Sequence, residues 1–488
     1  MTEKQTTVDA FWRSWHDDAG VNSFHDLLEW IADRNATCNV SIERIALSAC
    51  TPWFKDQATG FIRNHNESFF QIAGLSSEQK SLLSGDVHCV SQQPIILQKE
   101  IGYLGIMAKE FDGVMHFLMQ AKIEPGNVNK VQISPTIQAT RSNFLQLHGG
   151  KRPAYLEYFL RNGSSSSRKV KTIVDQVQSE QSSRFFGKRN RNVVVVTDEE
   201  VEVLPSHRWM TVGQIKRLMR YPNLVNMDTR TVFSCIPWSL WAEPSKRIIE
   251  DASDSSLLSS ILSHPSLKGM NRVNESLSNR KMFSNGTRKI VPLDDLQQWS
   301  FSDDETAFRC EERFPFEVGF FDIAIDGREV ARWNQPLFEA KGVATFVLLC
   351  RRDDDRMRFL VHIKEEAGCF DVAELGPTVQ REAASTQEPD AIEVATLALL
   401  SEGKGIKIDV LLSEEGGRFY CEENRNVLIE LSPQEASGFF SDEMLRKSYL
   451  WLDFATLCQL NQANNVLNVQ LRNLLSLLDP WDRPEDRK

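Results

Sequence analysis

The sequence predicts a protein of the mixed α/β (α+β) class, built from two tandem copies of one domain. Two observations lead to this prediction. Segments of the first half recur in the second half in the same order, which indicates internal duplication. Within each copy, short aliphatic runs typical of strands are followed by stretches with apolar residues at helical spacing. Strands and helices combined in one repeated unit predict a mixed fold.

The duplication is clearest between residues 112–138 and 354–380, which align without a gap at an offset of 242 and share ten identities in 27 positions. RFFGKRNRN at 184–192 then matches RFYCEENRN at 418–426, and a third pair begins at Trp209 and Trp451. Three collinear blocks indicate that a whole domain was copied. We therefore expect an N-terminal helical segment at 1–40, a first repeat at 41–250, a linker at 251–290 and a second repeat at 291–488.

The elements of each unit follow along the chain. Apolar residues between 9 and 33 lie at helical spacing and predict a helical N-terminus. In each copy, two apolar runs flank an acidic turn, as in YLGIMAKEFDGVMHFLMQAKI, which predicts a β-hairpin. NVVVVT and NVLIEL predict strands, and the segments from Trp209 and Trp451 predict helices. The Ser-rich stretch from Asp251 and the polar stretch ending at Lys289 predict an irregular connection.

Composition restricts the class of partner. The net charge of -11 disfavours a general binder of nucleic acid or of anionic membranes. Nine cysteines are scattered without a C-x-x-C pair, which predicts reduced thiols and no zinc site. The first residues lack a signal-peptide pattern, and no apolar run is long enough for a membrane span. We expect a soluble cytoplasmic protein.

The most informative polar segment is Gln120–Phe159. Its many amides and hydroxyls, together with an arginine, suit a site that hydrogen-bonds a polyhydroxylated, phosphorylated ligand. The alternative is a capped loop that satisfies its own backbone. The candidate ligand-binding residues in this segment are Lys122, Asn127, Asn129, Gln132, Thr136, Gln138, Arg141, Asn143 and Tyr155.

Several strings resemble signature segments of the NDP-hexose 2,3-dehydratases of deoxysugar biosynthesis. They are EPGNVNKVQISPTIQATRSNF, HGGKRPAYLEYF and NMDTRTVFSCIPW in the first half, and REVARWNQPLFEAKG and GCFDVAELGPTVQ in the second. The resemblance implies a lyase that removes water across C2–C3 of an NDP-4-keto-6-deoxyhexose and leaves a 3,4-diketo-2,6-dideoxy sugar. It also implies two tandem Nudix-like domains, nucleotide pockets in both halves, a homodimer, a downstream 3-ketoreductase and a place in antibiotic biosynthesis.

The sequence departs from the Nudix pattern in one respect. No R-E-x-x-E-E cluster is present, since REAAST at 381–386 has a single glutamate, and this disfavours a metal-dependent pyrophosphohydrolase. No G-x-G-x-x-G or P-loop motif is present, and the elimination moves no hydride. We therefore expect no cofactor and no metal. The alternative function is a non-catalytic nucleotide-sugar-binding protein.

The reaction requires a base for the C3 proton, a donor for the enolate at O4 and an acid for the departing C2 oxygen. The candidates for these roles are His148, Glu124 and Tyr158, for which a solvated histidine, a salt-bridged glutamate and a core aromatic are the structural alternatives. Further binding candidates are Arg230, Trp333, Gln335, Lys364, Glu366, Thr378 and Gln380. KRNR at 188–191 corresponds to EENR in the second copy, which suggests that the two pockets have diverged, and the richer polar segment of the first repeat favours catalysis there.

Overall fold

A computed structural model describes residues 3–17, 19–66, 69–80, 87–140, 152–160, 169–327, 330–438 and 448–482. Its helices are α1 (Glu3–His16), α2 (Phe24–Thr37), α3 (Leu156–Phe159), α4 (Val212–Leu218), α5 (Met227–Ser234), α6 (Lys246–Glu250), α7 (Ser255–Leu262), α8 (Leu267–Phe283), α9 (Ala391–Ser401), α10 (Pro433–Gly438), α11 (Phe454–Leu460) and α12 (Val469–Ser476).

The strands of the first half are β1 (Val40–Arg44), β2 (Trp53–Lys55), β3 (Ile62–Asn64), β4 (Gln71–Lys80), β5 (Val87–Leu97), β6 (Gly102–Phe111), β7 (Val114–Ile123), β8 (Val131–Ser134), β9 (Ile137–Ala139), β10 (Val170–Ser179), β11 (Arg189–Thr197) and β12 (His207–Met210). Those of the second half are β13 (Thr287–Val291), β14 (Trp299–Phe301), β15 (Ala307–Cys310), β16 (Phe316–Ile325), β17 (Arg332–Ala340), β18 (Ala344–Asp353), β19 (Arg356–Glu365), β20 (Ala373–Gly376), β21 (Val379–Arg381), β22 (Ile406–Ser413), β23 (Phe419–Tyr420), β24 (Glu423–Glu430) and β25 (Tyr449–Asp453). No helix within these described ranges is long and apolar enough to cross a membrane.

Each repeat contains one seven-stranded mixed sheet. In the first repeat the order is β10-β11-β6-β7-β12, with β8 on β7 and β9 on β6. In the second repeat β22-β24-β18-β19 continues to β20, with β21 on β18 and β25 on β19. The predicted hairpins are confirmed as the antiparallel pairs β6–β7 and β18–β19. The predicted strands NVVVVT and NVLIEL lie in β11 and β24, which run parallel to β6 and β18. The chain therefore contains two copies of one mixed α/β unit.

The two repeats exchange a strand. Beside each main sheet lies a smaller sheet, formed by β2–β5 in the first half and by β14–β17 with β23 in the second. The first is antiparallel, and the second is antiparallel except for the parallel pair β17–β23. The first of these is completed by β13, which pairs with β4 from Thr287 opposite Glu78 to Val291 opposite Gly74. The second receives β1, which pairs with β16 in the same antiparallel sense. Each smaller sheet is therefore completed by the other half of the chain.

The connection between the copies is helical, so the prediction of irregular structure at 251–290 is wrong. It contains α7 and α8, whose N-caps are Asp254 and Ser266. The Asp254 carboxylate accepts from the Leu257 amide at 3.0 Å, and the Ser266 hydroxyl accepts from the Gly269 amide at 3.1 Å. Asp254 and Ser266 belong to the polar stretches that predict a loop, but in the structure they cap helices. Their short side chains carry oxygen atoms that accept from the free amides of the first helical turn.

The prediction of a helical N-terminus at residues 9–33 is confirmed. The segment forms two helices, α1 and α2. In α1, Trp12 and Trp15 are buried, and they pack against Trp238 and Trp481. Residues 238 and 481 belong to opposite halves of the sequence, so α1 links the end of the first repeat to the C-terminal segment. One apolar core includes α1 and residues of both main sheets.

Two equivalent helices meet at the centre of the molecule. Helix α5 of the first repeat packs against α12 of the second, and both begin at a capping asparagine. The Asn226 side chain accepts from the Thr229 amide at 2.9 Å, and the Asn468 side chain accepts from the Leu471 amide at 3.0 Å. The helices predicted from Trp209 and Trp451 begin later than expected, at α4 and α11, because both tryptophans lie in strands. The ends of α5 and α12 position the polar clusters described next.

Candidate functional site

A polar cluster forms where β7 of the first repeat ends. The Lys122 ammonium lies 2.9 Å from a carboxylate oxygen of Glu124, and the Gln138 amide donates to the same oxygen at 3.3 Å. Asn226 donates to the Gln138 carbonyl oxygen at 3.5 Å, which connects the end of the strand to the cap of α5. Asp228, two residues further on, is 2 % exposed and has one carboxyl oxygen without a hydrogen-bond partner.

The second repeat contributes two charged residues to this cluster, Glu415 and Arg418, from the turn between β22 and β23. Main-chain bonds hold that turn in place: the Gly126 amide donates to the Gly416 carbonyl at 2.7 Å, and the Cys421 amide donates to the Gly126 carbonyl at 2.9 Å. We call Lys122, Glu124, Gln138, Asn226, Asp228, Glu415 and Arg418 the first cluster.

The second repeat contains an equivalent arrangement. The Gln380 amide donates to Glu366 at 2.8 Å, and Asn468 donates to Gln380 at 2.8 Å. The Gly368 amide donates to the Ser182 carbonyl of the first repeat at 2.8 Å, the reciprocal of the Gly126 contact. We call Lys364, Glu366, Gln380, Asn468, Gln470, Gln181 and Arg184 the second cluster. Each cluster therefore combines side chains from both repeats.

The clusters share a lysine, a glutamate, a glutamine, an asparagine and an arginine, and differ in the groups around them. In the aligned repeats, Asp228, Glu415, Thr140 and Lys188 of the first cluster region correspond to Gln470, Gln181, Glu382 and Glu422 of the second. Arg184 pairs with Glu382 at 3.2 Å and with Glu422 at 3.8 Å. Arg418 instead donates to the Gly417 carbonyl at 2.8 Å and to Gln98 at 3.4 Å.

Burial perturbs the ionisable groups of the first cluster. Removal from water, reinforced by the Glu124 charge, raises the pKa of Glu415 to about 7. Burial raises the pKa of Asp228 well above its usual range, and the neighbouring carboxylates Glu180, Glu415 and Glu124 raise it further. Burial lowers the pKa of Lys188 to about 8. Asp228, whose pKa is raised, and Glu124, which is ion-paired with Lys122, are therefore the candidate proton donor and the candidate base of the cluster.

Six of the predicted residues are brought together in the clusters: Lys122, Glu124, Gln138, Lys364, Glu366 and Gln380. Others stabilise the surrounding fold. Asn127 donates to the Lys130 carbonyl at 2.7 Å, and Asn129 donates to the Pro222 carbonyl at 2.8 Å. The hydroxyls of Thr136 and Thr378 each accept a strand amide and donate to a strand carbonyl, at Leu118 and Leu360.

The remaining predicted residues lie in other surroundings. The Tyr155 hydroxyl donates to the Glu202 carbonyl at 2.9 Å, and Tyr155 and Tyr158 belong to one apolar cluster. Gln132 donates to the Ser413 hydroxyl at 2.8 Å, and Arg230 donates to the Ser413 carbonyl at 2.8 Å. The two tyrosines therefore lie in an aromatic core, which is the structural alternative given for Tyr158, and Arg230 connects the two repeats.

Two predicted residues support the turn that carries Glu415. Trp333 donates to Gln335 at 2.9 Å, and Gln335 donates to the Gly417 carbonyl at 2.8 Å. Three predicted residues, Arg141, Asn143 and His148, lie outside the described ranges. Sequence reasoning did not select Glu415 and Arg418, although the RFYCEENRN block that begins at Arg418 was recognised as part of the repeat.

Comparison with known proteins gives a consistent result over most of the chain. The model of one family, described as NDP-hexose 2,3-dehydratase, matches residues 24–236 and 270–478. A dTDP-4-dehydro-6-deoxy-α-D-glucopyranose 2,3-dehydratase from Saccharopolyspora spinosa is 38% identical, covering 92% of this chain and 90% of the relative. Proteins of the same name from Streptomyces violaceoruber and Amycolatopsis orientalis are each 33% identical, covering 92% and 93% of this chain, and 95% and 90% of the relatives.

Proposed function

The chain belongs to the NDP-hexose 2,3-dehydratase family, and on that premise we propose that it removes water from dTDP-4-keto-6-deoxyglucose in the first cluster. Its reaction is that of a carbon–oxygen lyase in deoxysugar biosynthesis, with an NDP-4-keto-6-deoxyhexose as substrate. The observation that carries the assignment of the site is the Lys122–Glu124 ion pair in the same cluster as Asp228, since the raised pKa of Asp228 makes it a candidate neutral donor within the electrostatic reach of a candidate base.

The chemistry of the substrate explains why such a set is useful. The 4-keto group acidifies the C3 hydrogen, and the C2 hydroxyl lies β to that carbonyl. Glu124, ionised beside Lys122, takes the C3 proton. Asp228, held protonated by its surroundings, donates a hydrogen bond to the charge that develops on O4. Arg418, which has main-chain and amide partners, contributes positive charge for the diphosphate.

The differences between the clusters support the first as the site of the elimination. Gln470 and Gln181 stand in the second cluster where Asp228 and Glu415 stand in the first. An amide donates and accepts hydrogen bonds but transfers no proton at neutral pH. In addition, Arg184 forms ion pairs with Glu382 and Glu422, whereas Arg418 hydrogen-bonds a carbonyl and an amide, with the charges of Glu415, Glu124 and Glu180 also acting on it. The second cluster is therefore less suited to acid–base chemistry.

The finer features implied by the family resemblance belong to the same proposal. We infer that each repeat has a Nudix-like fold, which the mixed sheet with one parallel strand pair and packed helices supports. A homodimer, a downstream 3-ketoreductase, a cytoplasmic location and a role in antibiotic biosynthesis rest on the resemblance. Arg141, Asn143 and His148 remain candidates for substrate contacts.

Diketone trapping tests the activity directly. The protein is incubated with dTDP-4-keto-6-deoxyglucose and an aromatic 1,2-diamine, without added nicotinamide, and the products are analysed by mass spectrometry. We expect an adduct of the dehydrated sugar that is absent with heat-denatured protein. Binding of dTDP without any adduct would instead indicate a non-catalytic nucleotide-sugar-binding protein.

A further inference from the structure

We propose that Glu415, which the second repeat supplies to the first cluster, is the general acid that protonates the departing C2 oxygen. This inference rests on the proposed function and adds to it the origin of the second proton-transfer group. The reaction in the first repeat would then require a residue from the other repeat.

The position of Glu415 carries the inference. Its turn is held against the end of β7, where the Gly126 amide donates to the Gly416 carbonyl at 2.7 Å. The backbone of Gly416 packs directly on Glu124, since a methyl group added to Gly416 would lie 3.1 Å from the Glu124 β-carbon. The Glu415 carboxylate accepts from the Gly417 amide at 2.9 Å, and the side chain is only partly buried. A second carboxyl group therefore lies beside the Lys122–Glu124 pair, within reach of solvent.

The surroundings of the two carboxyl groups assign them different roles. Glu124 is ion-paired with Lys122 and accepts from Gln138, and both contacts favour its ionised form. The groups that act on Glu415 are Glu124 and Glu180, which raise its pKa, and Arg418 and Lys122, which lower it. Burial is the largest cause, and together with these charges it raises the pKa of Glu415 to about 7, so much of the population carries a proton at neutral pH. An ion-paired carboxylate beside a carboxyl group with a raised pKa offers acid–base catalysis a base and an acid.

The proton balance closes with these two residues. Glu124 takes the C3 proton, and the C3–H electron pair forms an enolate of C3, C4 and O4. The enolate collapses, the C2–O bond breaks, and the departing oxygen takes the Glu415 proton and leaves as water. The resulting 2,3-enol then gains a proton at C2 from Glu124 and gives its O3 proton to Glu415. The products are one diketo sugar and one water, and both residues return to their starting forms.

The chain provides an internal comparison. Gln181 occupies the place of Glu415 in the second cluster, and it follows the equivalent strand of the first repeat. The Gln181 side chain is buried and its carbonyl oxygen has no hydrogen-bond partner. The same fold position therefore exists in both clusters, and only the one beside Asp228 carries an acid.

Exchange of the C3 hydrogen in D2O separates the acid from the base. The substrate dTDP-4-keto-6-deoxyglucose is incubated with wild type, Glu415→Gln, Glu415→Asp, Glu124→Gln and the exposed control Glu388→Gln. Deuterium at C3 reports proton removal, and trapped diketone reports elimination. We expect Glu415→Gln to lose about 10²–10⁴-fold in elimination while retaining exchange within several-fold of wild type. Glu124→Gln should lose both signals, and Glu388→Gln should match wild type.

Measurements of folding, of dTDP binding and of pH dependence distinguish loss of the acid from loss of the fold. Melting temperature and dTDP binding establish that each variant is folded, and Glu415→Asp should recover part of the elimination rate. The wild-type elimination rate should fall as pH rises above about 7, and Glu415→Gln should lack that decrease. Full elimination by Glu415→Gln, or loss of exchange together with elimination in folded Glu415→Gln, would overturn the role as acid. Absence of elimination in wild type would overturn the proposed function instead.

Discussion

Asp228 and Gln470 occupy the same position of the two repeats and are both buried, with side-chain atoms that lack partners. A buried carboxyl group in a neighbourhood of other carboxylates avoids the cost of its charge by staying protonated. Asp228 therefore resembles the amide of Gln470 in charge while retaining a stronger donor. At this equivalent position, the two clusters therefore differ in whether the buried side chain is an acid or an amide.

Replacing Asp228 by asparagine tests that protonation. Because burial raises the pKa of Asp228 and so favours its neutral form, we expect Asp228→Asn to keep a melting temperature close to wild type at pH 7. Its amide still donates to O4, so the dehydration rate should decrease only about ten-fold, whereas Asp228→Leu should lose about 10²–10³-fold. Thermal melts and diketone trapping measure both effects. Equal activity of Asp228→Leu and wild type would contradict a role at O4.

The paired lysines test which cluster reacts. Lys122→Met removes the cation that keeps Glu124 ionised, so Glu124 becomes a poorer base, and the rate should decrease by about 10² or more. Lys364→Met makes the same change in the second cluster and should reduce the rate far less. The comparison requires only initial rates of trapped diketone for the two variants. A larger loss in Lys364→Met would transfer the chemistry to the second repeat.

At the scale of single elements, the decisive contact is the approach of each strand end to a turn of the other repeat. Gly126 and Gly368 lie against the carbonyl oxygens of Phe419 and Phe185. A side chain at either glycine would overlap these oxygens, so the close approach requires glycine. The contact positions Glu415 and Gln181 in their clusters.

Gly126→Ala and Gly368→Ala test that approach. The added methyl group would force the two backbones apart, and we expect each variant to lower the melting temperature by about 5 °C or more. Gly286→Ala is the matched control, because a methyl group there would meet its nearest atoms at 3.5 Å or beyond. Gly126→Ala should in addition lose activity, since it displaces Glu415. A melting temperature equal to that of Gly286→Ala would show that the contact is looser than described.

Local patterns explain which elements were predictable. The hairpins, the aliphatic strands and the N-terminal helices follow from periodicities of a few residues, and all are confirmed. The sequence does not predict helices α7 and α8, because serine-rich composition indicates irregular structure, although Asp254 and Ser266 are capping residues. The exchange of β1 and β13 joins residues more than 200 positions apart, and no local pattern reports it.

The same distinction applies to the site. Lys122, Glu124 and Gln138 were selected because they follow strand ends in a polar segment, and the structure brings them together. Glu415 and Arg418 were not selected, because their approach to Glu124 depends on the contact between repeats. The amides Asn127 and Asn129 are predicted as ligand contacts, but Asn127 stabilises its own turn and Asn129 ties that turn to the Pro222 carbonyl. Composition alone does not distinguish a polar side chain that binds a ligand from one that binds the backbone.

At the scale of the whole molecule, the two repeats form one folding unit. Strands β1 and β13 are exchanged, α5 packs against α12, and the tryptophans of α1 contact residues of both halves. Each smaller sheet is completed by a strand from the other repeat. Neither repeat is therefore expected to be stable alone.

Division of the chain tests this expectation. A cut after the exposed His264, in the loop between α7 and α8, separates the repeats without interrupting an element. We expect the fragment 1–264 to remain unfolded or to aggregate when produced alone. Coexpression with 265–488 should restore a complex with dehydratase activity, measured by size-exclusion chromatography, circular dichroism and diketone trapping. A stable, monomeric fragment 1–264 would contradict the single folding unit.

Buried carboxyl groups between the repeats make stability depend on pH. Burial raises the pKa of Glu414 and of Glu374 to about 8, well above the value for an unfolded glutamate. The folded state therefore binds these protons more tightly, and the stabilisation is complete at low pH and lost as pH rises through about 8. We expect the melting temperature of Glu414→Gln, relative to wild type, to increase between pH 6 and pH 9. The difference between variant and wild type removes the opposing effect of Lys216, whose pKa is lowered to about 7. A constant difference would show that Glu414 does not titrate in this range.

The exchange of β1 and β13 has a consequence for how the two sites can change. Two separate, identical chains with the same exchange would carry every residue twice, so one mutation in their gene would alter both sites together. In this single chain, each position of each repeat is encoded separately. The linker also keeps the two repeats at a high effective concentration relative to each other, even where the contact between them is weak. One site can thus acquire Asp228 and Glu415 while the other keeps Gln470 and Gln181. Fusion of the copies therefore allows the two clusters to diverge separately within one chain.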